Sequence, residues 1–195
     1  MSTIAGITYV PDYLDQKTHD QLLAAVDEHP WITSVDHGVQ VYGYSYDHSL
    51  RAAYRIGELP SWATALADRL RQDGYVERAP NQLVANEYPP GHGMFDHVDQ
   101  EVFGDVVMSV SLGSTCAMQF TRAEPDATET LLLAPKSLLV LSGEARFGWK
   151  HGIPARTSDV WNGREYPRSR RVSLTFRAVP ARPADDSLRL PPPAR

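Results

Sequence analysis

The stretch Asn86-Glu-Tyr-Pro-Pro-Gly-His-Gly-Met-Phe-Asp-His-Val-Asp-Gln-Glu101 sets an imidazole, His97, two residues before a carboxylate, Asp99. On a strand or extended edge, residues i and i+2 leave the backbone on one face, so this pair can supply two corners of a metal site. A second imidazole from elsewhere would complete the two-histidine, one-carboxylate set that suits Fe(II) and leaves coordination positions open. His151, in Trp149-Lys-His-Gly-Ile153, follows a strand-like segment and is the distant candidate. Taken alone, an H-x-D pair fits a strand-end histidine bonded to a turn. His92, in Pro-Pro-Gly-His-Gly, is explained by loop exposure. His19, His29, His37 and His48 lie in polar surroundings and receive no role.

A second constellation is basic. In Arg171-Val-Ser-Leu-Thr-Phe-Arg177 polar and apolar residues alternate, so on a strand Arg171, Ser173, Thr175 and Arg177 share a face. Two arginines in one inward row are costly unless anions meet them. A small dicarboxylate would do so through the fork geometry of guanidinium. Without the metal-type residues upstream, a solvated strand face explains the row as well. The single Cys116 excludes an internal disulfide and any multi-thiolate zinc or iron–sulfur site.

The elements that must position these groups fall into two regimes. Asp15 is suited to cap a helix from Gln16 to His29, and Ser61 one that carries Trp62, Ala63, Leu66 and Leu70 and ends at Gly74. Between them Val39-Gln-Val-Tyr-Gly-Tyr-Ser-Tyr-Asp47 alternates like a strand or an ordered tyrosine-rich loop. From about residue 81 short strands dominate: 82–88, 106–112, 117–120, 130–133, 137–141 and 171–179. This order argues for α+β, a β-sandwich or barrel supported by helices. With 195 residues, one domain over 1–179 is expected, followed by a proline-rich, disordered tail over 180–195. A formal charge of −5 disfavours a uniformly basic nucleic-acid binder. No basic, apolar leader and no long apolar run is present, so a cytoplasmic chain with no membrane partner is expected.

In joint order these pieces resemble the AlkB family of Fe(II)/2-oxoglutarate dioxygenases over roughly residues 35 to 179. The matching motifs are Asn86-x-Tyr88 with Pro-Gly, His97-x-Asp99, Ser109-x-Ser-Leu-Gly113, Leu138-Leu-Val-Leu-Ser-Gly-Glu-Ala-Arg146, His151-Gly-Ile and Arg171-x-Ser-x-Thr-Phe-Arg177. The wording is nearest the branch that includes the AlkB domain of the human tRNA wobble-uridine hydroxylase. The resemblance implies a double-stranded β-helix (jelly-roll) with N-terminal supporting helices and a nucleotide-recognition lid. It implies Fe(II) held by His97, Asp99 and His151, with O₂ and 2-oxoglutarate as co-substrates. Arg171 would meet the distal carboxylate of 2-oxoglutarate, and Asn86, Tyr88, Ser173 and Arg177 would make its other contacts. Ser173 departs from the Asn of the best-known bacterial member.

The same resemblance implies oxidative removal of N-methyl groups from bases in DNA or RNA, with release of formaldehyde. A base attacked in a pocket must be flipped out or single-stranded. Tyr42, Tyr44 and Tyr46 would share a face of one strand, and the lid position favours Tyr42 and Tyr46 as stacking platforms; a half-buried aromatic strand is the plain alternative. Glu101, where the wobble-uridine hydroxylase has His, matches the acidic residue of repair-type members and would attract a cationic base such as 1-methyladenine or 3-methylcytosine. A solvent-facing loop carboxylate is the alternative. Eight basic residues from Arg146 to Arg177 face only Asp159 and Glu165, so Lys150, Arg164, Arg168 and Arg170 suggest a local phosphate footprint. A monomer is expected. The other functions to weigh are hydroxylation of a tRNA wobble nucleoside or a protein at the same iron site, and a non-catalytic binding jelly-roll.

Overall fold

The computed structural model describes residues 2–33, 37–124 and 126–180. Of the expected tail 180–195, all but Pro180 lies outside them. In chain order the elements are β1 (Ile7–Val10), α1 (Gln16–Asp27), β2 (Gly38–Tyr42), β3 (Tyr44–Asp47), β4 (Ala52–Arg55), α2 (Ser61–Gln72), β5 (Gln82–Tyr88) and β6 (Met94–His97). A 3₁₀ turn (Glu101–Phe103), β7 (Val106–Gly113), β8 (Cys116–Arg122), β9 (Ala127–Leu133), β10 (Leu138–Ser142) and α3 (Gly143–Phe147) follow. The last elements are β11 (Lys150–Ile153), β12 (Ser158–Trp161), β13 (Arg164–Pro167) and β14 (Arg171–Arg177).

Both long helices form for local reasons. The Asp15 carboxylate accepts the Thr18 N–H at 2.7 Å and caps α1, which ends at Asp27, two residues short of His29. Helix α2 is capped by Pro60 instead of Ser61: the Pro60 carbonyl accepts the Ala63 and Thr64 N–H groups at 2.9 Å, and Ser61 is already helical. Gly74 closes α2 at φ +81°, with its N–H on the Arg71 carbonyl and the Tyr75 N–H on the Leu70 carbonyl. This is a Schellman closure, which glycine makes without steric cost.

Two antiparallel sheets face each other. The larger has the order β1-β10-β7-β14-β5-β2 and the smaller β6-β11-β8-β9. Strand periodicity divides the larger sheet cleanly. Leu83, Ala85, Met108, Val110, Val172, Leu174 and Phe176 pack with Leu22, Val26, Leu66 and Leu70 of the helices. The opposite face, including Asn86, Ser109 and the row Arg171, Ser173, Thr175 and Arg177, looks toward the smaller sheet. The expected α+β jelly-roll with supporting helices is the observed architecture. Among the described residues, no helix is long and apolar enough to cross a membrane.

The tyrosine-rich segment is broken where one strand was expected. Gly43 has φ +78°, and a Cβ there would overlap the Asn81 carbonyl oxygen. The chain therefore turns off the large sheet after Tyr42 and enters the separate β3–β4 hairpin. Gly43→Ala should lower stability by about 2 kcal/mol or more, because strained φ and a backbone clash add. Gly74→Ala, with open space around it, should cost only about 1 kcal/mol. Denaturant midpoints of the two variants check the contrast.

Candidate metal centre

Antiparallel pairing of β6 with β11 sets His97 directly opposite His151. Their rings lie 4.5 Å apart between centroids. Asp99 follows two residues after His97 and turns its carboxylate into the same space, with Oδ2 3.5 Å from His151 Nε2. One ligand atom from each of the three lies within 4.8 Å of the others. Gly152 eases the close approach of the two strands, since a Cβ there would displace the Asp96 carboxylate and crowd the Met94 carbonyl oxygen at 3.0 Å. His97 Nδ1 lies 3.0 Å from the Phe95 carbonyl oxygen; a proton donated there leaves Nε2 with its lone pair for a metal.

The electrostatics favour an ionised carboxylate beside a neutral His151 imidazole. Burial opposes the charge of Asp99, but Arg177, His151, His97 and Arg146 outweigh it and bring its pKa down to about 2. Burial pushes His151 down to about 4 against the pull of Asp99. Arg177 Nη2 donates to Asp99 Oδ1, while Asp99 Oδ2 is buried with no hydrogen-bond partner among the described residues. A buried carboxylate oxygen without a donor is costly. A divalent cation between the three groups removes that cost, so the donor set fits a metal ion.

The cavity beside the triad measures about 130 Å³. Its far end is built by Arg171, which is 2% exposed. Arg171 Nη2 donates to Ser111 Oγ at 2.9 Å, and its carbon lies 5.4 Å from the centre of the Tyr88 ring. Its Nε and Nη1 have no hydrogen-bond partner among the described residues. Two unanswered guanidinium donors in a closed cavity fit a carboxylate. Asn86, Tyr88, Ser173, Arg177, His97, Asp99 and His151 all line this same cavity. Burial pushes the Tyr88 hydroxyl up to about 12, so it stays a neutral donor.

Three of the sequence expectations change. Tyr42 pairs with Leu83 on the helix side of the large sheet and packs edge-on against His29 and Trp62. The break at Gly43 separates it from Tyr46, so Tyr42 is on the wrong face to stack a substrate. The phosphate footprint shrinks, because Arg168 is held by both Asp159 oxygens at 2.6 and 2.8 Å and Arg170 by Asp27 and Glu87. His37 does have a place: its ring stacks on Tyr88 at 5.2 Å, and its Nε2 lies 3.3 Å from Asn86 Oδ1. Arg146, also without an assigned role, reaches the main chain at Asp99. No spacing in the sequence announces either residue, since both depend on partners about 50 positions away.

Tyr46 and Glu101 are not among the residues that line the cavity; the Tyr46 hairpin packs beside the 3₁₀ turn that Glu101 begins. The Tyr46 hydroxyl donates to Gln100 Oε1 at 3.1 Å, and its ring lies 5.7 Å from that of Phe103. Arg177 covers the Phe103 ring at 4.9 Å. Glu101, exposed, begins the same 3₁₀ turn.

The 2OG-Fe(II) oxygenase superfamily matches residues 31–177 of the chain. Protein L905 of Acanthamoeba polyphaga mimivirus, uncharacterised, is 32% identical over 89% of this chain and 85% of its own length. The alkylated DNA repair protein ALKBH8 homolog of Arabidopsis thaliana is 36% identical over 90% of this chain and 59% of its own length. The mouse tRNA (carboxymethyluridine(34)-5-O)-methyltransferase ALKBH8 is 33% identical over 76% of this chain, which spans only 26% of that protein. Among solved structures, OsALKBH1 shares the fold with a TM-score of 0.64 at 14% identity, covering 91% of this chain and 99% of its own. A buried two-histidine, one-carboxylate centre, an arginine-ended cavity and these likenesses agree, and the chain belongs to the AlkB family of 2OG-Fe(II) oxygenases, whose dioxygenase chemistry uses Fe(II), 2-oxoglutarate and O₂.

Proposed function

We propose that this dioxygenase demethylates N-alkylated bases of the 1-methyladenine and 3-methylcytosine type in single-stranded DNA or RNA. The observation that carries this reading is Glu101, an exposed carboxylate two residues beyond Asp99 and next to the Tyr46 hairpin. A negative charge there favours a methylated base that carries a positive one. Phe95, 82% exposed, adds an aromatic face 5.5 Å from the His97 ring. It borders an open groove of about 770 Å³ that shares Met94 and Ile153 with the cavity. Stacking on such faces is how unpaired bases are held. The likeness to the Arabidopsis alkylated DNA repair protein ALKBH8 homolog supports the same reading.

When bound, iron and 2-oxoglutarate would activate O₂, the oxidant: one of its oxygen atoms would go into succinate, formed with CO₂ from the co-substrate, and the other into a methyl C–H bond of the base. In this reading His97, Asp99 and His151 hold the metal and leave its remaining positions open. Arg171 fixes the distal carboxylate of the co-substrate through Nε and Nη1. Arg177 holds Asp99 so that Oδ2 faces the two imidazoles. Val107, Met118, Leu139, Leu141 and Ile153 wall the cavity and exclude water. The hydroxymethyl group left on nitrogen then breaks down to formaldehyde and the free base without a general base from the protein.

A second reading keeps this site and hydroxylates a tRNA wobble nucleoside, and it is supported by the likeness to mouse ALKBH8. The deciding experiment incubates the iron-loaded chain with methylated oligonucleotides, 2-oxoglutarate and ascorbate. Formaldehyde and loss of the methylated base are expected. A hydroxylated nucleoside without formaldehyde would move the assignment to the second reading. Glu101→Gln should lower kcat/KM for a cationic base about 10-fold or more, the scale of one charged hydrogen bond, without altering substrate-free 2-oxoglutarate turnover.

Two further outcomes test the centre itself. His97→Ala and Asp99→Ala should each abolish substrate-free 2-oxoglutarate consumption; unchanged consumption in both would remove the iron assignment. Arg171→Met should raise KM for 2-oxoglutarate by roughly 30-fold or more, the effect of leaving a buried carboxylate unpaired.

A further inference from the structure

Arg146 is the largest fully buried side chain among the described residues, at 2% exposure. Its cost is high, because a guanidinium taken out of water loses several kcal/mol unless charges or strong acceptors replace the solvent. Its acceptors are two consecutive main-chain oxygens: Nη1 donates to the Asp99 carbonyl and Nη2 to the Gln100 carbonyl, both at 2.8 Å. A volume-filling role would be met more cheaply by Leu or Met. Two parallel donors on adjacent carbonyls are what a guanidinium fork does and an ammonium cannot.

The place of these two carbonyls matters. Strand β6 ends at His97, and the 3₁₀ turn starts at Glu101, so residues 98–100 belong to no regular element. Asp99 thus lacks a strand neighbour to fix its backbone. Gln100 has one other main-chain partner, the Phe103 N–H at 3.1 Å. Arg146 itself sits on α3, five residues before His151. The fork therefore ties the segment that carries Asp99 to the segment that carries His151. It acts on the main chain, while Arg177 holds the Asp99 carboxylate.

Resting on the metal-centre reading above, we infer that Arg146 is a positioning residue: its fork on the Asp99 and Gln100 carbonyls sets the distance between Asp99 and the two imidazoles and so sets metal affinity. Groups one step removed from a metal typically change its affinity 10–100-fold when removed. The co-substrate end of the cavity, built on Arg171 and Ser111, makes no contact with this fork and keeps its own affinity.

The test titrates Mn(II) into the full chain and follows the signal of free Mn(II) by electron paramagnetic resonance. Arg146→Met should weaken Mn(II) binding about 10–100-fold. Arg146→Lys, which can reach one carbonyl, should recover part of the loss. With Mn(II) saturating, 2-oxoglutarate affinity in Arg146→Met should stay close to that of the unsubstituted chain, and excess Fe(II) should restore most of its turnover. Unchanged Mn(II) affinity in Arg146→Met overturns the inference. So does a parallel loss of Mn(II) binding, 2-oxoglutarate binding and apo melting temperature in both variants, which marks a purely structural residue. If the unsubstituted chain fails to bind Mn(II), the metal-centre reading falls and this inference with it.

Discussion

A carboxylate removed from water has to be compensated, and the interior of this protein is arranged around that requirement at Asp99. Burial alone pushes the group toward its protonated form, which is a poor ligand for a divalent metal. Arg177, His151, His97 and Arg146 together outweigh that push. Each arrives from a different element: Arg177 from the end of β14, Arg146 from α3, His151 from β11 and His97 from β6. The jelly-roll is the device that lets three separate stretches of chain, around residues 97, 146–151 and 177, converge on one side chain. The large sheet contributes Arg177, α3 contributes Arg146 and the small sheet contributes both imidazoles, so the site exists only when the two sheets are packed.

The same convergence separates two kinds of polarity within one cavity. Near Asp99 the acceptor Oδ2 is left over beside the Nε donors of Arg146 and Arg177, and near Arg171 the donors Nε and Nη1 are left over. Buried groups of this kind are rarely left without partners in a native interior. One end therefore calls for a cation and the other for an anion. Strand β14 carries Arg171 at one end and Arg177 at the other, with Ser173 and Thr175 between, so a single period-2 row defines the polarity of the whole pocket. The hydrophobic walls between the ends strengthen both interactions by keeping water out.

What was legible in the sequence follows from how local each feature is. The row on β14 and the limits of β5, Gln82–Tyr88, could be read because alternation is a property of neighbouring residues. The α1 cap at Asp15 and the glycine closure of α2 are equally local. Strands β6 and β11 are four residues each and carry Asp, His, Lys and Gly, with Ile153 their one β-branched residue, so propensity hid the very strands that hold the two histidines. The β12–β13 hairpin had a local signal in Asn162-Gly163, both at positive φ, the preference of a tight two-residue turn. Its charged residues invited a surface reading instead, although Asp159 and Arg168 face inward as a pair. Tyr42 failed for a different reason. One glycine with a positive φ reset the face of everything after it, and alternation cannot see a backbone turn.

Charge is where the structure alters the picture most. The stretch from Arg146 to Arg177 is rich in arginine, but much of that charge is committed inside the molecule. Arg146 holds main-chain oxygens, Arg168 holds Asp159, Arg170 holds Asp27 and Glu87, and Arg171 and Arg177 face the cavity. Lys150, Arg156 and Arg164 remain exposed. Affinity for a polynucleotide rises with the number of phosphates neutralised, and this segment offers three exposed cations for that contact. In the proposed reading, on a chain with a net charge of −5, the base itself adds to the binding, through stacking on an exposed ring such as Phe95 and through its own positive charge beside Glu101. A substrate base that carries its charge because it is methylated would lose that attraction once the methyl group is removed, so the same carboxylate that favours capture of the damaged base would also favour release of the repaired one.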